Sequence, residues 1–207
     1  MSCEKNVKMR QRNLLVLLAL ASVCAWLSGC TAWEEKARVG LRSSIALERR
    51  ATLEDLKSHP VPVLREDVER VLSSDIELAN RALAADALGA LGMWESLGEL
   101  RVRAERDASR LVRTRAMRAL ARIQGGRAEN DLRLSLRKDL DPFVRVEAVN
   151  LSAEFLPPKR AADVIVEGLR DEDNTVKLAA YHKLVSLTGK DAPPTDYERW
   201  NGLVQGM

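Results

Sequence analysis

From about residue 62 to residue 190, apolar positions recur with helical spacing, and the pattern itself repeats. Counted from the acidic residues Asp75, Asp107, Asp139 and Asp171, each 32 positions after the last, apolar side chains fall at offsets 5, 9, 12–13 and 16. In one unit these are Val112, Ala116, Ala119, Leu120 and Ile123. A spacing near 3.6 places them on one stripe of a helix, which must face a core. The other columns are as regular. Offset 6 is basic in Arg81, Arg113, Arg145 and Lys177, and offset 9 is alanine in Ala84, Ala116, Ala148 and Ala180. Before the basic residues stand Asn80, Val112, Val144 and Val176, and at offset 16 stand Leu91, Ile123, Phe155 and Leu187. A period of this length identifies stacked supersecondary units, which bury their apolar faces only against one another.

Helix boundaries follow from local chemistry. Ser109, Asp141 and Asp173 precede the long helices as N-cap types, and Pro142 takes the favoured first helical position. A shorter helix is predicted before each long one, over 62–73, 95–105, 128–138 and 160–170, with Gly92, Gly125-Gly126, Pro157-Pro158 and Gly189 punctuating the long helices. Residues 32–57 read as one long polar helix whose Leu41, Ile45, Leu53 and Leu56 pack on the first unit. The tail, with Tyr197 and Trp200, reads as a cap on the last unit. The expected fold is all-α: about four helix pairs over 59–190, a lipidated N-terminus and long helix over 30–58, and a cap over 191–207.

The first 29 residues form a separate segment. A basic start is followed by Leu14 to Leu27, a 14-residue run broken only by Ser22. Crossing a bilayer takes about 20 apolar residues, so the run suits a secretory leader rather than a membrane span. The following Leu27-Ser28-Gly29-Cys30 resembles the lipobox of bacterial lipoproteins. That resemblance implies cleavage before Cys30 and thioether attachment of a diacylglycerol to its thiol. Small Ser28 and Gly29 admit the peptidase, whereas Val23 beside Cys24 does not. Cleavage removes Cys3 and Cys24 and leaves no partner for a disulfide. Thr31, in place of Asp, favours the outer membrane facing the periplasm under the enterobacterial sorting rule. Trp33 then lies close enough to the lipid to enter the headgroup zone.

The Asp–x4–Val-Arg–x2–Ala pattern in paired helices resembles HEAT repeats, most closely the short HEAT-like class of phycobilisome lyases, over about 62–190. The resemblance implies a right-handed α-solenoid in which Asp75, Asp107, Asp139 and Asp171 bond with Arg81, Arg113, Arg145 and Lys177 between units. Asn80 for Val, Lys177 for Arg and Ser152 at a Leu position depart from the pattern.

Charge narrows the function. Of 33 Lys+Arg and 30 Asp+Glu, four basic and one acidic residue lie in the first 29 positions, leaving 29 of each beyond. A neutral chain lacks the positive field of a nucleic-acid binder, and the eight arginines of 101–122 have no aromatic among them for base stacking. His59 and His182 stand apart, so no metal site is expected, nor any cofactor. No nucleophile elbow or phosphate loop is present. On the long helices, Asp86, Arg115, Arg118, Arg122, Glu147, Asn150, Glu154 and His182 share one exposed face and form the candidate partner-binding patch. The expected function is a non-catalytic, monomeric scaffold or adaptor that binds another envelope protein and is held to the membrane by Cys30. The competing reading is a bilin lyase-like or other small-ligand-binding HEAT-repeat protein with an enzymatic role.

Overall fold

The structure, a computed structural model, describes residues 32–207, so the expected leader, Cys30 and Thr31 lie outside the described residues. The described residues form helices joined by turns and short irregular segments, with no strand among them. The helices are α1 (32–42), α2 (Ala46–Ser58), α3 (Arg65–Ser74), α4 (Leu78–Leu91), α5 (Leu97–Arg106), α6 (Arg110–Gln124), α7 (Glu129–Lys138), α8 (Pro142–Phe155), α9 (Pro158–Ile165), α10 (Asn174–Thr188) and α11 (Tyr197–Gln205). Each predicted short helix is present. Three are led by 3-10 turns at Pro62–Leu64, Trp94–Ser96 and Gly125–Arg127, and α9 instead runs into a 3-10 segment, Val166–Arg170. None of the helices described is long and apolar enough to cross a membrane.

The long polar helix expected over 32–57 is two helices. Its break falls at Ser43-Ser44-Ile45, where the Ser43 hydroxyl accepts from the Ile45 N–H at 3.0 Å and offers the backbone a turn in place of the helical bond. Leu41, Leu53 and Leu56 are buried as expected, whereas Ile45 is exposed because it stands in the break. α1 and α2 are therefore a fifth helix pair. The sequence carried a trace of it, since Arg49 lies 32 positions before Arg81, but Ser43, Thr52 and His59 occupy its other columns.

Packing follows chain order. α4 lies between α2 and α6, α8 between α6 and α10, and the short helices form a second series, α3 on α5, α5 on α7 and α7 on α9. The predicted stripe supplies the core: Val112, Ala116, Ala119 and Leu120 are buried, with Leu97, Leu100, Leu132 and Leu136 of the short helices. Offset 16 is only partly buried, as Ile123 and its counterparts pack against the core's rim. The two mismatched core residues are satisfied polar groups. Ser152 donates to the Ala148 carbonyl at 2.7 Å, and Asn80 donates to the Asp75 carboxylate and the Ala46 carbonyl, each at 3.1 Å.

Helix ends divide by chemistry. Gly92 and Gly189 close α4 and α10 in the left-handed region, at φ 68° and 64°, which glycine adopts without strain. Asp141 and Asp173 cap their helices by accepting from the Phe143 and Thr175 N–H groups. Ser109 occupies the cap position without a side-chain bond. The tail packs on α9 and its 3-10 extension through α11. Trp200 is fully buried there, donating to the Pro193 carbonyl at 3.2 Å and meeting Tyr181 edge-on at 6.0 Å.

α4 and α6 approach closely at Gly89. A Cβ at Gly89 would lie 3.0 Å from the Ala119 Cβ and 3.1 Å from its Cα, whereas Gly98 on α5 faces open space. Gly89→Val is expected to cost about 1–3 kcal/mol in urea unfolding through overpacking. Gly98→Ala is expected to stabilise by up to about 1 kcal/mol through helix propensity. Equal effects at the two positions would show that close approach does not fix this pair.

Candidate functional site

The acidic and basic columns meet in one construction used four times. Each arginine spans two units. The Nε and Nη2 of Arg81 donate to Asp107 at 2.8 and 3.0 Å, while its Nη1 donates to the carbonyl of its own unit's Asp75 at 2.9 Å. Arg113 binds Asp139 and the Asp107 carbonyl at 2.8, 3.0 and 3.0 Å. Arg145 binds Asp171 and the Asp139 carbonyl, each contact at 2.8 Å. Each aspartate also accepts from the N–H two residues on, at 2.9, 2.9, 2.9 and 2.8 Å from Glu77, Ser109, Asp141 and Asp173. One carboxylate thus closes its own turn and receives the preceding unit's guanidinium fork. The planar fork supplies two parallel bonds and a third donor, which a lysine ammonium cannot place.

The ladder begins one unit earlier than the sequence reading put it. Arg49 binds Asp75 at 2.6 and 2.9 Å, and its Nη1 takes the Ser43 carbonyl at 2.7 Å. Ser43 serves because only its carbonyl is needed at the first unit. The ladder also ends one step early. Lys177 forms no ion pair among the described residues, and Leu203 stands where the next carboxylate of the period would be.

The candidate patch is a second set of cross-braces. Arg115 reaches back from α6 to Asp86 on α4 at 3.0 Å. Arg118 pairs forward with Glu147 on α8 and lies 3.6 Å from Glu154. Arg122 is exposed and joins no ion pair among the described residues, and Asn150 and His182 enter none of these contacts. The structure brings five of the eight residues together, as neutralised links between neighbouring long helices.

A third set, missed in the sequence, crosses the short helices. Asp67 on α3 is buried and receives Arg42 at 2.9 Å and Arg70 at 2.7 Å. Arg101 binds Asp131 at 2.9 and 3.2 Å, and Arg133 and Arg137 converge on Glu167. The signal was present in Asp67, Glu99, Asp131 and Asp163, an acidic column of the same period. Its cations keep no fixed register, so the column alone did not reveal the pairing.

The turns that hold the ladder also expose apolar side chains. Ile76 and Leu140, each next to a ladder aspartate, are 88% and 94% exposed, and Phe143 is 67% exposed under the Arg110 guanidinium at 4.8 Å. Leu47, Leu78 and Leu111 extend the row. Four open clefts of about 440, 290, 500 and 480 Å³ are described, and each has a ladder residue in its wall. None of the four is lined by Arg115, Arg118 or Arg122. Among the described residues, no three His, Cys, Asp or Glu side chains converge as metal ligands would.

Removing one member of a buried pair strands the other, so Arg113→Ala is expected to destabilise by about 3 kcal/mol. Arg113→Lys, which keeps the charge and loses the fork, should recover less than half of that in urea unfolding. Full recovery by lysine would reduce the ladder to simple charge pairing.

Burial most strongly opposes ionisation of Asp75 and Asp107. The bonds from Arg49, the Glu77 N–H and Asn80 outweigh it in the first, and those from Arg81 and the Ser109 N–H in the second, holding both carboxyls below the ordinary 3.8. A carboxyl whose pKa falls on folding stabilises the fold above its unfolded value, and that stability is lost as pH falls through the folded value. Melting by circular dichroism should therefore be flat from about pH 7 to 5 and drop below about pH 4, with a smaller drop in Asp107→Asn. A melting temperature that holds steady to about pH 3 would contradict this.

No family model matches the chain and no curated protein matches it, so its function is read from its own residues and geometry.

Proposed function

We propose that this chain is a lipid-anchored envelope protein whose helix pairs stack as a right-handed HEAT-like solenoid, and that it works without catalysis as a scaffold or adaptor for another envelope protein. The leader ending in Leu27-Ser28-Gly29-Cys30 supports the anchor. The 32-residue period, the repeated Asp–Arg fork and the packing of each long helix between its neighbours support the stack. Nothing in the reading requires a cofactor.

The observation that carries the binding role is the row of exposed apolar side chains on the ladder turns. Ile76 and Leu140 are almost fully exposed at the same register two units apart, and open clefts lie between the turns. A row of apolar knobs over broad clefts fits an extended protein surface better than an enclosed small molecule. The long-helix face is a weaker candidate, because Asp86, Arg115, Arg118 and Glu147 already satisfy one another and would have to break those pairs to bind.

A photo-reactive side chain at Leu140, compared with one at Arg122, tests the role in cells carrying the full-length chain. The expected result is one discrete protein adduct from position 140 that disappears in Ile76→Ser and in Phe143→Ser, with none from position 122. Adducts from 122 alone would move the interface to the long helices. Absence of a protein adduct from both positions would contradict the adaptor role.

A further inference from the structure

The edge opposite the ladder has a regularity of its own. One register of the period reads Cys30, Pro62, Trp94, Gly126 and Pro158, each 32 positions apart. Pro62 and Trp94 open 3-10 turns, Gly126 lies within the third, and Pro158 opens α9. All four therefore stand where a short helix begins, one long-helix length or about 20 Å from the ladder.

Neighbouring units meet along this edge. The Arg127 guanidinium lies 5.5 Å from the Trp94 ring centroid, and a Cβ at Gly126 would sit 3.4 Å from the Pro157 Cδ and 3.8 Å from the Arg160 Nη2. α1 starts here too, where the Trp33 ring meets His59 edge-on at 6.4 Å. Val63 is 58% and Trp94 50% exposed, and Pro157, Pro158 and Arg160 are exposed beside them. Cys30 lies outside the described residues, but the two residues of chain from Cys30 to Ala32 span at most about 7 Å. An acyl chain on Cys30 would enter a bilayer beside this edge.

We propose that this edge is a membrane-resting surface: it lies on the bilayer that holds the anchor, with Trp94 and Val63 in the headgroup zone and Arg127 and Arg160 toward the lipid phosphates. The proposal rests on the lipoprotein reading of Cys30. Tryptophan suits that position because its ring is apolar and its N–H is polar. Arg127 can stack on the ring and still present donors to a phosphate. Glu66 and Glu95 share the edge, Glu66 paired with Arg65 at 3.1 Å, so the surface is close to neutral and does not hold a membrane alone. It acts as the second contact beside an acyl anchor. The arrangement fixes orientation. With this edge on the membrane, the ladder edge and its apolar turns point away from it, toward the compartment where a protein partner is met.

The test uses the chain from Cys30 onward, which contains every described residue and has Cys30 as its only thiol. Coupling that thiol to maleimide-bearing phosphatidylethanolamine in phosphatidylethanolamine–phosphatidylglycerol vesicles places the anchor whether or not the cell acylates it. With brominated lipid in the vesicles, tryptophan emission is expected to be quenched, and the Trp94-dependent part of the quenching should be lost in Trp94→Phe. In that background, Phe143→Trp on the ladder edge should remain unquenched. Quenching that does not change in Trp94→Phe, or a quenched Trp at 143, would overturn the proposal. Mass spectrometry of the N-terminal peptide from cells tests the lipoprotein reading separately: an unmodified Cys30 would sink that reading without altering the vesicle result.

Discussion

The guanidinium fork is the interaction that ties each helix pair of this fold to the next. An arginine at one position of the period holds the carbonyl of its own turn and the carboxylate of the next, so each turn is shaped by its neighbour as well as by itself. The carboxylate is buried while the cation keeps a partly open side. Charge pairs taken out of water seldom add net stability over an apolar substitute, but a half-broken pair is costly. The fork therefore acts chiefly on register: a unit slipped by one residue would leave a buried aspartate without its partner.

The same logic accounts for a chain that is 30% charged yet neutral beyond residue 29. Three rows of ion pairs run from unit to unit, at the turns, across the long helices and across the short ones. Individually, exposed pairs contribute only about 0.2–1 kcal/mol. Together they let slender alanine-rich helices pack in order, where apolar area per helix is small. Most charges of the described residues are paired with one another, and the most exposed apolar side chains, Leu140 and Ile76, stand on the ladder turns. One edge carries Ile76, Leu140 and Phe143 over the clefts; the other carries Trp94 and the start of α1.

Much of this was legible in the sequence because it repeats. Four aspartates, three arginines and a lysine at fixed spacing announced the ladder, and the apolar offsets announced the core that Val112, Ala116 and Leu120 occupy. What escaped was whatever the repeat states only once. The first helix pair was hidden because Ser43 does the work of an aspartate through its backbone carbonyl, which any residue supplies. The pairing of Arg118 with Glu147 was not visible because face membership says which residues share a surface, not which of them touch. Asn80 and Ser152 read as flaws in the pattern, yet each is a buried polar group with its partners in place.

The central claim is that the fork couples neighbouring units rather than decorating them, and a double-mutant cycle measures that coupling directly. Arg81→Ala, Asp107→Ala and the double variant would be compared with the parent chain by urea unfolding, following helix content. The account predicts a coupling energy of about 1 kcal/mol or more, with the double variant markedly less destabilised than the sum of the singles. Additive losses, with coupling below about 0.5 kcal/mol, would mean that Arg81 and Asp107 act independently and that the ladder does not hold the units together.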